Sequence, residues 1–402
     1  MGNGPASPEA APWPALEYEE QVWTPSTTWG LRAADAGRLE EPYLAAVPPL
    51  IADAVPHPSA EAMESARRAE AELSRFDAEL GDRIGAFAPI LLRSEAASSS
   101  QIENLTASAR AILNAELGVT GKRNALEIVA NTRAMQAAIR LAESISAETI
   151  LEMHAVLMAE STAHRPGQWR NEPVWTGTRS DSPVGAEYVA PRHGRVPELV
   201  DDVVSFLRAE AVPPLVAVAV SHAQFETIHP FSDGNGRTGR ALAQAVLRHR
   251  GVTRNIAVPV SAGLLANVEG YHQALTEYRC GNVSPIVEAF AAASLRAIGN
   301  ARQLVQQVQS IRDSWPQRLK VRRSSNAWRL LDVIVRRPVL TAAVAAEELG
   351  VQTPNIYPAL RALGEAGILR KKDEYRSGPF WRSDEVLHAV DAFAERAGRR
   401  SA

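Results

Sequence analysis

Between His229 and Arg240 the chain reads HPFSDGNGRTGR, which packs one histidine, one aspartate, three glycines and two arginines into twelve positions. Gly234-Asn235-Gly236 falls where one helical stretch stops and another begins. Glycine admits positive φ, so successive backbone N–H groups can converge on an anion. The start of the following helix adds positive dipole at the same place. Arg237 and Arg240 lie three apart on that helix and share a face, and guanidinium groups suit bidentate phosphate contacts. Asp233, just before the glycines, is placed to hold Mg²⁺ bridging phosphate oxygens. His229, on the other side of the loop, offers a neutral imidazole to take a proton from an incoming hydroxyl. Acid, metal, anion cradle and base together describe transfer of a phosphorus-centred group to a hydroxyl. Taken singly, the glycine loop also reads as a helix-capping turn, and a histidine before proline as structural.

Helices must position this run. The stretch before it, PPLVAVAVSHAQFETIH, is apolar nearly all round and predicts a buried central helix over 212–228. A helix over 235–249 follows. Upstream, SAEAMESARRAEAELSRFDAELGDR is amphipathic at helical spacing, with Ser59 as its N-cap. Further helices are expected near 90–103 (Pro89 just before its start), 107–116, 124–144, 147–159 and 196–209, and through 262–311. Residues 167–195 hold Trp, Thr, Gly, Pro and Tyr and read as a hairpin or paired short strands. Residues 1–60 show little periodicity and read as an extended arm wrapping on the body. Residues 328–394 read as helix, turn, helix and a two-stranded wing around Ser377-Gly378, with Gly350 stopping one helix, Thr353 capping the next and Pro354 at its first position. That order is a winged helix-turn-helix.

Composition bounds the class. The 402 residues carry 46% hydrophobic and 22% charged side chains, as soluble globular proteins do. The single cysteine, Cys280, excludes an intrachain disulfide and suits a reducing cytosol, so a cytoplasmic location is expected. No apolar run is long enough to span a membrane, and the N-terminus has neither the basic start nor the apolar core of a signal peptide. The net charge of −3 divides unevenly: 15 Lys/Arg and 10 Asp/Glu from Lys320 onward leave 28 basic and 36 acidic residues before it. The basic tail suits an anionic partner, and a solvated face serves as an equal explanation.

HPFSDGNGRTGR is similar at every defined position to the HxFx(D/E)GNGRxxR signature of the Fic (Fido) family: His229, Phe231, Asp233, Gly234, Asn235, Gly236, Arg237 and Arg240. The resemblance extends to the lead-in SHAQFETIHPF, where His222 reads as a buried structural histidine. It also covers GQWR at 167–170 and VWTGTR at 174–179, which resemble the run into the family's flap hairpin. It implies a mainly α fold with a Fic-type helical core and a short β-hairpin flap, and a protein adenylyltransferase moving AMP from Mg-ATP to a Ser, Thr or Tyr hydroxyl. By that resemblance His229 is the base, Asp233 the Mg²⁺ ligand, Gly234 to Gly236 the phosphate nest, Arg237 and Arg240 the phosphate clamps and Phe231 an anchor beneath the loop. Asn267 and Tyr271, in NVEGYHQAL, match a segment lining the nucleoside pocket, although an arginine often found there is Val268. The flap, about 174–195, would hold the protein target by strand addition. Its usual proline-rich end keeps only Pro191, and His193 and Arg195 there bear on target choice.

Ser99-Ser100-Gln101-Ile102-Glu103-Asn104 resembles the (S/T)xxxE(G/N) inhibitory motif of the same family, in the class that carries it N-terminal to the catalytic loop. A glutamate beside Arg240 would take that arginine from the γ-phosphate and place negative charge where phosphate should sit. The expected organisation is an N-terminal region with the inhibitory motif over 1–110, a Fic core over 111–315 and a winged helix over 325–395. The expected partners are ATP with Mg²⁺, a protein target at the flap, and DNA or a protein at the winged helix; a homodimer is compatible and a membrane is not. The helix over 354–366 carries one basic residue, Arg361, whereas Arg370, Lys371, Lys372, Arg376 and Arg382 fall in the wing, where phosphate contact is plausible. Two other functions fit the same residues: a nucleotide-sensing DNA-binding regulator, and removal of AMP rather than its transfer.

Overall fold

The computed structural model describes residues 13–23, 41–81, 84–118, 122–177, 182–374 and 378–398. The first element corrects the reading of the N-terminal arm. β1 (Glu17–Val22) and β2 (Pro42–Val47) pair antiparallel, Glu17 opposite Val47 and Val22 opposite Pro42. EYEEQV is too polar to announce a strand, and its partner begins twenty positions after it ends. The hairpin earns its place through β2, whose Ala46 packs with Tyr188 and Ala190 of the body.

Eleven helices described between the hairpin and residue 314 build the body. α1 (Ala60–Leu80) starts where Ser59 Oγ accepts from the Ala62 N–H, as the sequence predicts. α2 (Ile84–Ile102) begins six residues earlier than expected, so Pro89 lies inside the helix rather than ahead of it. A proline that early costs one backbone bond, and the buried faces of Phe87, Ile90 and Leu91 outweigh the loss. α3 (Ala109–Glu116) and α4 (Arg123–Arg140) are shorter than predicted; Ser108 caps the first, and Ser146 and Thr149 form a capping box at α5 (Ala147–Leu157). Two-residue strands β3 (Trp175–Thr176) and β4 (Tyr188–Val189) make the expected hairpin; residues 178–181, with Arg179, lie outside the described residues. α6 (Val196–Arg208), α7 (Pro214–Ile228) and α8 (Asn235–His249) follow. α7 is buried at every position from Leu215 to Ile228, as its uniform apolarity requires. The stretch 262–311 resolves into α9 (Val260–Leu265), α10 (Val268–Arg279) and the 31-residue α11 (Ser284–Ser314).

The C-terminal elements are α12 (Asn326–Arg336), β5 (Val339–Thr341), α13 (Ala342–Leu349), α14 (Tyr357–Glu365), β6 (Arg370–Glu374), β7 (Gly378–Arg382) and α15 (Asp384–Gly398). The strands form one antiparallel sheet in the order β5-β7-β6. Gly350 stops α13 at φ 63°, as predicted. Thr353 instead opens a single 3₁₀ turn through Ile356, and α14 starts only at Tyr357. Two of the wing's basic residues are already matched: Asp384 pairs with Arg382 at 2.7 Å and Arg370 at 3.3 Å. Arg376 and Ser377 fall outside the described residues. α15 packs back on the body. Glu385 accepts from the Trp315 indole N–H and from Arg318, and Phe393 and Val386 join the core that contains Ile90 and Leu91 of α2. Among the described residues no helix is long and apolar enough to cross a membrane.

Candidate active site

The loop between α7 and α8 is fixed by its own residues. His229 caps α7 in the left-handed region (φ 50°), its N–H donating to the Phe225 carbonyl. Gly234 opens α8 at φ 77°. The Asn235 side chain spans the loop, accepting from the Phe231 N–H and donating to the Phe231 carbonyl, both at 2.8 Å. Asn235 was expected among the phosphate ligands; its side chain is spent on this clasp, so only its backbone can face an anion. Phe231 is fully buried beneath the loop and stacks on His154 with centroids 3.6 Å apart. The His154 ring accepts from the Gly167 N–H and lies 3.1 Å from the Asp233 carbonyl, which fixes Nε2 as donor. Burial lowers its pKa to about 4, so this ring remains neutral. Arg170 completes the frame by donating to the carbonyls of His229, Glu172 and Pro191. It ties the loop to both ends of the β3–β4 hairpin.

A cavity of about 880 Å³ opens over this loop. Glu103, His229, Asp233, Gly234, Asn235, Gly236, Arg237, Arg240 and Tyr271 all line it, as does exposed Cys280. Nine of the expected site residues thus meet in one chamber. Ser99 stands behind them. Asn267 does not join: its side chain accepts from the Gly270 N–H as the N-cap of α10, and it does not line the cavity. A cap at the start of α10 and a cavity wall one turn later account for the split between Asn267 and Tyr271.

His229 Nδ1 lies 3.3 Å from the Glu226 carbonyl. That contact makes Nδ1 the donor and leaves the Nε2 lone pair free to accept a proton. Enclosure by the surrounding protein, with the charges of Arg170 and Arg279, lowers the ring's pKa to about 4, while 37% of the side chain stays open to the cavity. His222 is buried as expected, its Nε2 2.7 Å from the Tyr271 hydroxyl. Burial and the charge of Arg240 push its pKa to about 3.

Arg240 has no freedom among these groups. Its Nε donates to Ser99 Oγ at 2.9 Å, and Nη2 to the Ser99 carbonyl and to Glu103 Oε1, each at 2.8 Å. Ser99 and Glu103 are one turn apart at the end of α2, so one helix end supplies all three acceptors. Asn104, at φ 60°, then ends the helix, and the Leu105 N–H returns to the Ser100 carbonyl. Burial works to raise the pKa of Glu103, yet the charge and hydrogen bond of Arg240 hold it below the usual carboxylate range. A Cβ on Gly236 would fall 2.1 Å from Glu103 Oε1. The carboxylate therefore rests over the first turn of α8, where an anion would sit.

Arg237 is held in a parallel way by a residue that sequence reasoning missed. Glu127 of α4 reaches its Nη1 at 3.3 Å, while Asp233 Oδ2 stands 3.7 Å from Nη2. Glu127 is an ordinary acid on an amphipathic helix, and nothing in the local sequence marks it. Asp233 donates no ligand set by itself: among the described residues no three acidic, histidine or cysteine side chains gather as a metal cluster. Its half-exposed carboxylate fits a Mg²⁺ whose remaining ligands are phosphate oxygens and water.

The β3–β4 hairpin walls the cavity with Trp175, Thr176 and Tyr188. Tyr188 is clamped between the Arg279 guanidinium, 3.7 Å from its ring centre, and the Thr227 carbonyl, to which its hydroxyl donates. Arg195, one of two residues expected to face a target, is engaged at 3.1 Å by Glu19 of β1. His193 is exposed on a 3₁₀ turn. The N-terminal hairpin thus braces the flap.

Parts of the chain are similar to known proteins. Residues 60–140 match the Fic/DOC family N-terminal model and residues 144–247 the Fic/DOC family model. The chain is 29% identical over 203 residues to "Protein adenylyltransferase fic-1" of Caenorhabditis elegans, covering 47% of this chain and 36% of that protein. It is 36% identical over 124 residues to "Probable protein adenylyltransferase aq_aa38" of Aquifex aeolicus (strain VF5), covering 29% of this chain and 36% of that one. The matched region thus spans little more than a third of these relatives. A crystal structure of a Fic family protein from Desulfovibrio desulfuricans G20 superposes with a TM-score of 0.51 at 22% identity, covering 82% of this chain and 97% of that one, which establishes likeness of fold. Two stretches of the chain, 60–140 and 144–247, are thus similar to Fic/DOC family models, and the relatives matched are named as protein adenylyltransferases.

Proposed function

We propose that the protein is an autoinhibited protein adenylyltransferase that transfers AMP from Mg-ATP to a hydroxyl of a protein, itself included, and releases pyrophosphate. The observation that carries this reading is the bonding of Arg240 to Ser99 and Glu103 in the same cavity as His229 and the start of α8. In the active state the acceptor hydroxyl attacks the α-phosphorus while His229 Nε2 takes its proton. The new O–P bond forms as the bond to pyrophosphate breaks. The N–H groups at the start of α8, with Arg237 and Arg240, hold the phosphates and stabilise charge on the leaving group. Asp233 would hold Mg²⁺, which supplies neutralisation of phosphate charge. Tyr271 walls the nucleotide space; the cap role of Asn267 removes it from that set. The flap takes the target strand. Glu103 opposes all this by occupying Arg240 and repelling phosphate.

The test is incubation with labelled ATP and Mg²⁺. Glu103→Gly should raise self-labelling at least tenfold over wild type, and His229→Ala in that background should remove labelling while nucleotide still binds. Mass spectrometry of the labelled product identifies the transferred group as AMP. Unchanged labelling in Glu103→Gly would discard the brake, and labelling that survives His229→Ala would discard the base.

The C-terminal elements fit a winged helix, and its role here is packing on the body rather than reading DNA. The pairing of Arg370 and Arg382 with Asp384, and the seat of α15 on the body, favour that over the regulator.

A further inference from the structure

A second cavity, of about 480 Å³, lies between α2, α3 and α15. It is a chamber separate from the one over His229, and its walls are mostly apolar: Ile90, Ala97, Ile112, Leu113, Val390 and Phe393. One polar group in the wall has nothing to bond. Ser94 is 3% exposed and its Oγ has no hydrogen-bond partner. A buried hydroxyl in that condition costs free energy unless something arrives to bond it. Arg93, Asp391 and Glu395 are the charged residues in the wall, and the first two are engaged. Arg93 is paired with Glu116 and donates to the Arg336 carbonyl, and Asp391 accepts from the Ala109 N–H. The chamber therefore offers largely apolar surface and, among the described residues, one buried hydroxyl with no bond of its own.

We propose that this cavity is a binding site for a small neutral aryl or alicyclic alcohol, whose hydroxyl bonds Ser94 and whose ring fills the apolar walls, and that its occupation reinforces the hold of Glu103 on Arg240. The second half rests on the reading of Glu103 as a brake. Ser98 and Gln101 line this chamber, and Ser99 and Glu103 beside them on α2 bond Arg240. The chamber and the Glu103–Arg240 pair exist together in one arrangement of α2. A ligand that binds the chamber as formed stabilises that arrangement and disfavours any in which α2 withdraws. By linkage, nucleotide that displaces Glu103 must weaken the ligand by the same factor that the ligand weakens nucleotide.

The probe is 2-naphthol, titrated into the full-length protein and followed by its fluorescence, with naphthalene as the control lacking the hydroxyl. Wild type should bind 2-naphthol saturably, one per chain. Ser94→Ala, which removes an unbonded hydroxyl and leaves the fold intact, should weaken 2-naphthol about tenfold, the equivalent of one hydrogen bond, and leave naphthalene unchanged. Ala97→Phe should fill the chamber and abolish both. Absence of saturable binding to wild type, or binding indifferent to both substitutions, overturns the site. Saturating Mg-ATP should weaken 2-naphthol binding to wild type severalfold and not to Glu103→Gly. Equal 2-naphthol affinity with and without ATP in wild type overturns the coupling. If Glu103→Gly neither binds nor transfers from ATP, the adenylyltransferase reading fails while the titrations of Ser94→Ala and Ala97→Phe still decide the site.

Discussion

His229 holds a backbone conformation that a side chain other than glycine adopts at a cost, and its neighbours hold it there. Arg170 binds its carbonyl, Phe225 its N–H, and the Glu226 carbonyl its Nδ1. The result is a ring with one defined tautomer and a pKa near 4. The sign matters for activity. A lowered pKa keeps the imidazole deprotonated throughout the range in which an ordinary histidine would be titrating, as the proposed role of base requires. The transfer rate of Glu103→Gly should therefore stay flat within about twofold from pH 6 to 8, and a pH–rate profile checks this; half-loss near pH 6.5 would show an unperturbed ring. The convergence of His229, Asp233 and the arginines was legible because they share one short run, where spacing alone implies a common loop. Arg170, His154 and Glu127 were not. Each reaches the site from another element, and a lone arginine or acid on a helix carries no mark of where the fold will take it. Asn267 and Tyr271 were read as one segment, yet only Tyr271, one helical turn on, lines the chamber, while the asparagine caps the start of α10.

At the scale of elements, the end of α2 meets the beginning of α8 with no room to spare. Gly236 is the contact point, since a methyl there would stand 2.1 Å from Glu103 Oε1 and 2.8 Å from Arg240 Nη1. Gly236→Ala should drive the carboxylate off its arginine and destabilise the wild-type fold by about 1–2 kcal/mol. In a Glu103→Gly background the same substitution should cost less, by at least ~0.5 kcal/mol. Urea unfolding of the four proteins closes the cycle, and additive values would mean that the two residues do not touch in solution. The helices themselves were largely readable: α8 and α5 start where the pattern puts them, because Gly234 and Ser146 are explicit start signals. The hairpin β1–β2 was not readable, since its strands are short, polar on the exposed side and joined by a long connection. Pro89 was read as a boundary because local rules forbid what burial along α2 permits.

Across the whole molecule, α2 touches nearly everything that matters. Its middle contacts α12 and α15, and Glu95 accepts from Gln244 and Ser261 deep in the body. Its last turn holds Arg240. The apolar core runs without a break from α1 to α15. Calorimetry should then show a single unfolding transition for the full chain, with removal of residues 384–402 lowering its midpoint by 5 °C or more. A second, separate peak would show that the C-terminal elements melt alone. The same compactness gives Cys280 an unusual use. It is the chain's only thiol, it is exposed, and it stands at the rim of the chamber over His229. A maleimide dye would find no other thiol in the chain, so the natural sequence already carries a spectroscopic handle beside that chamber, and whatever enters it can be followed in real time without altering a residue.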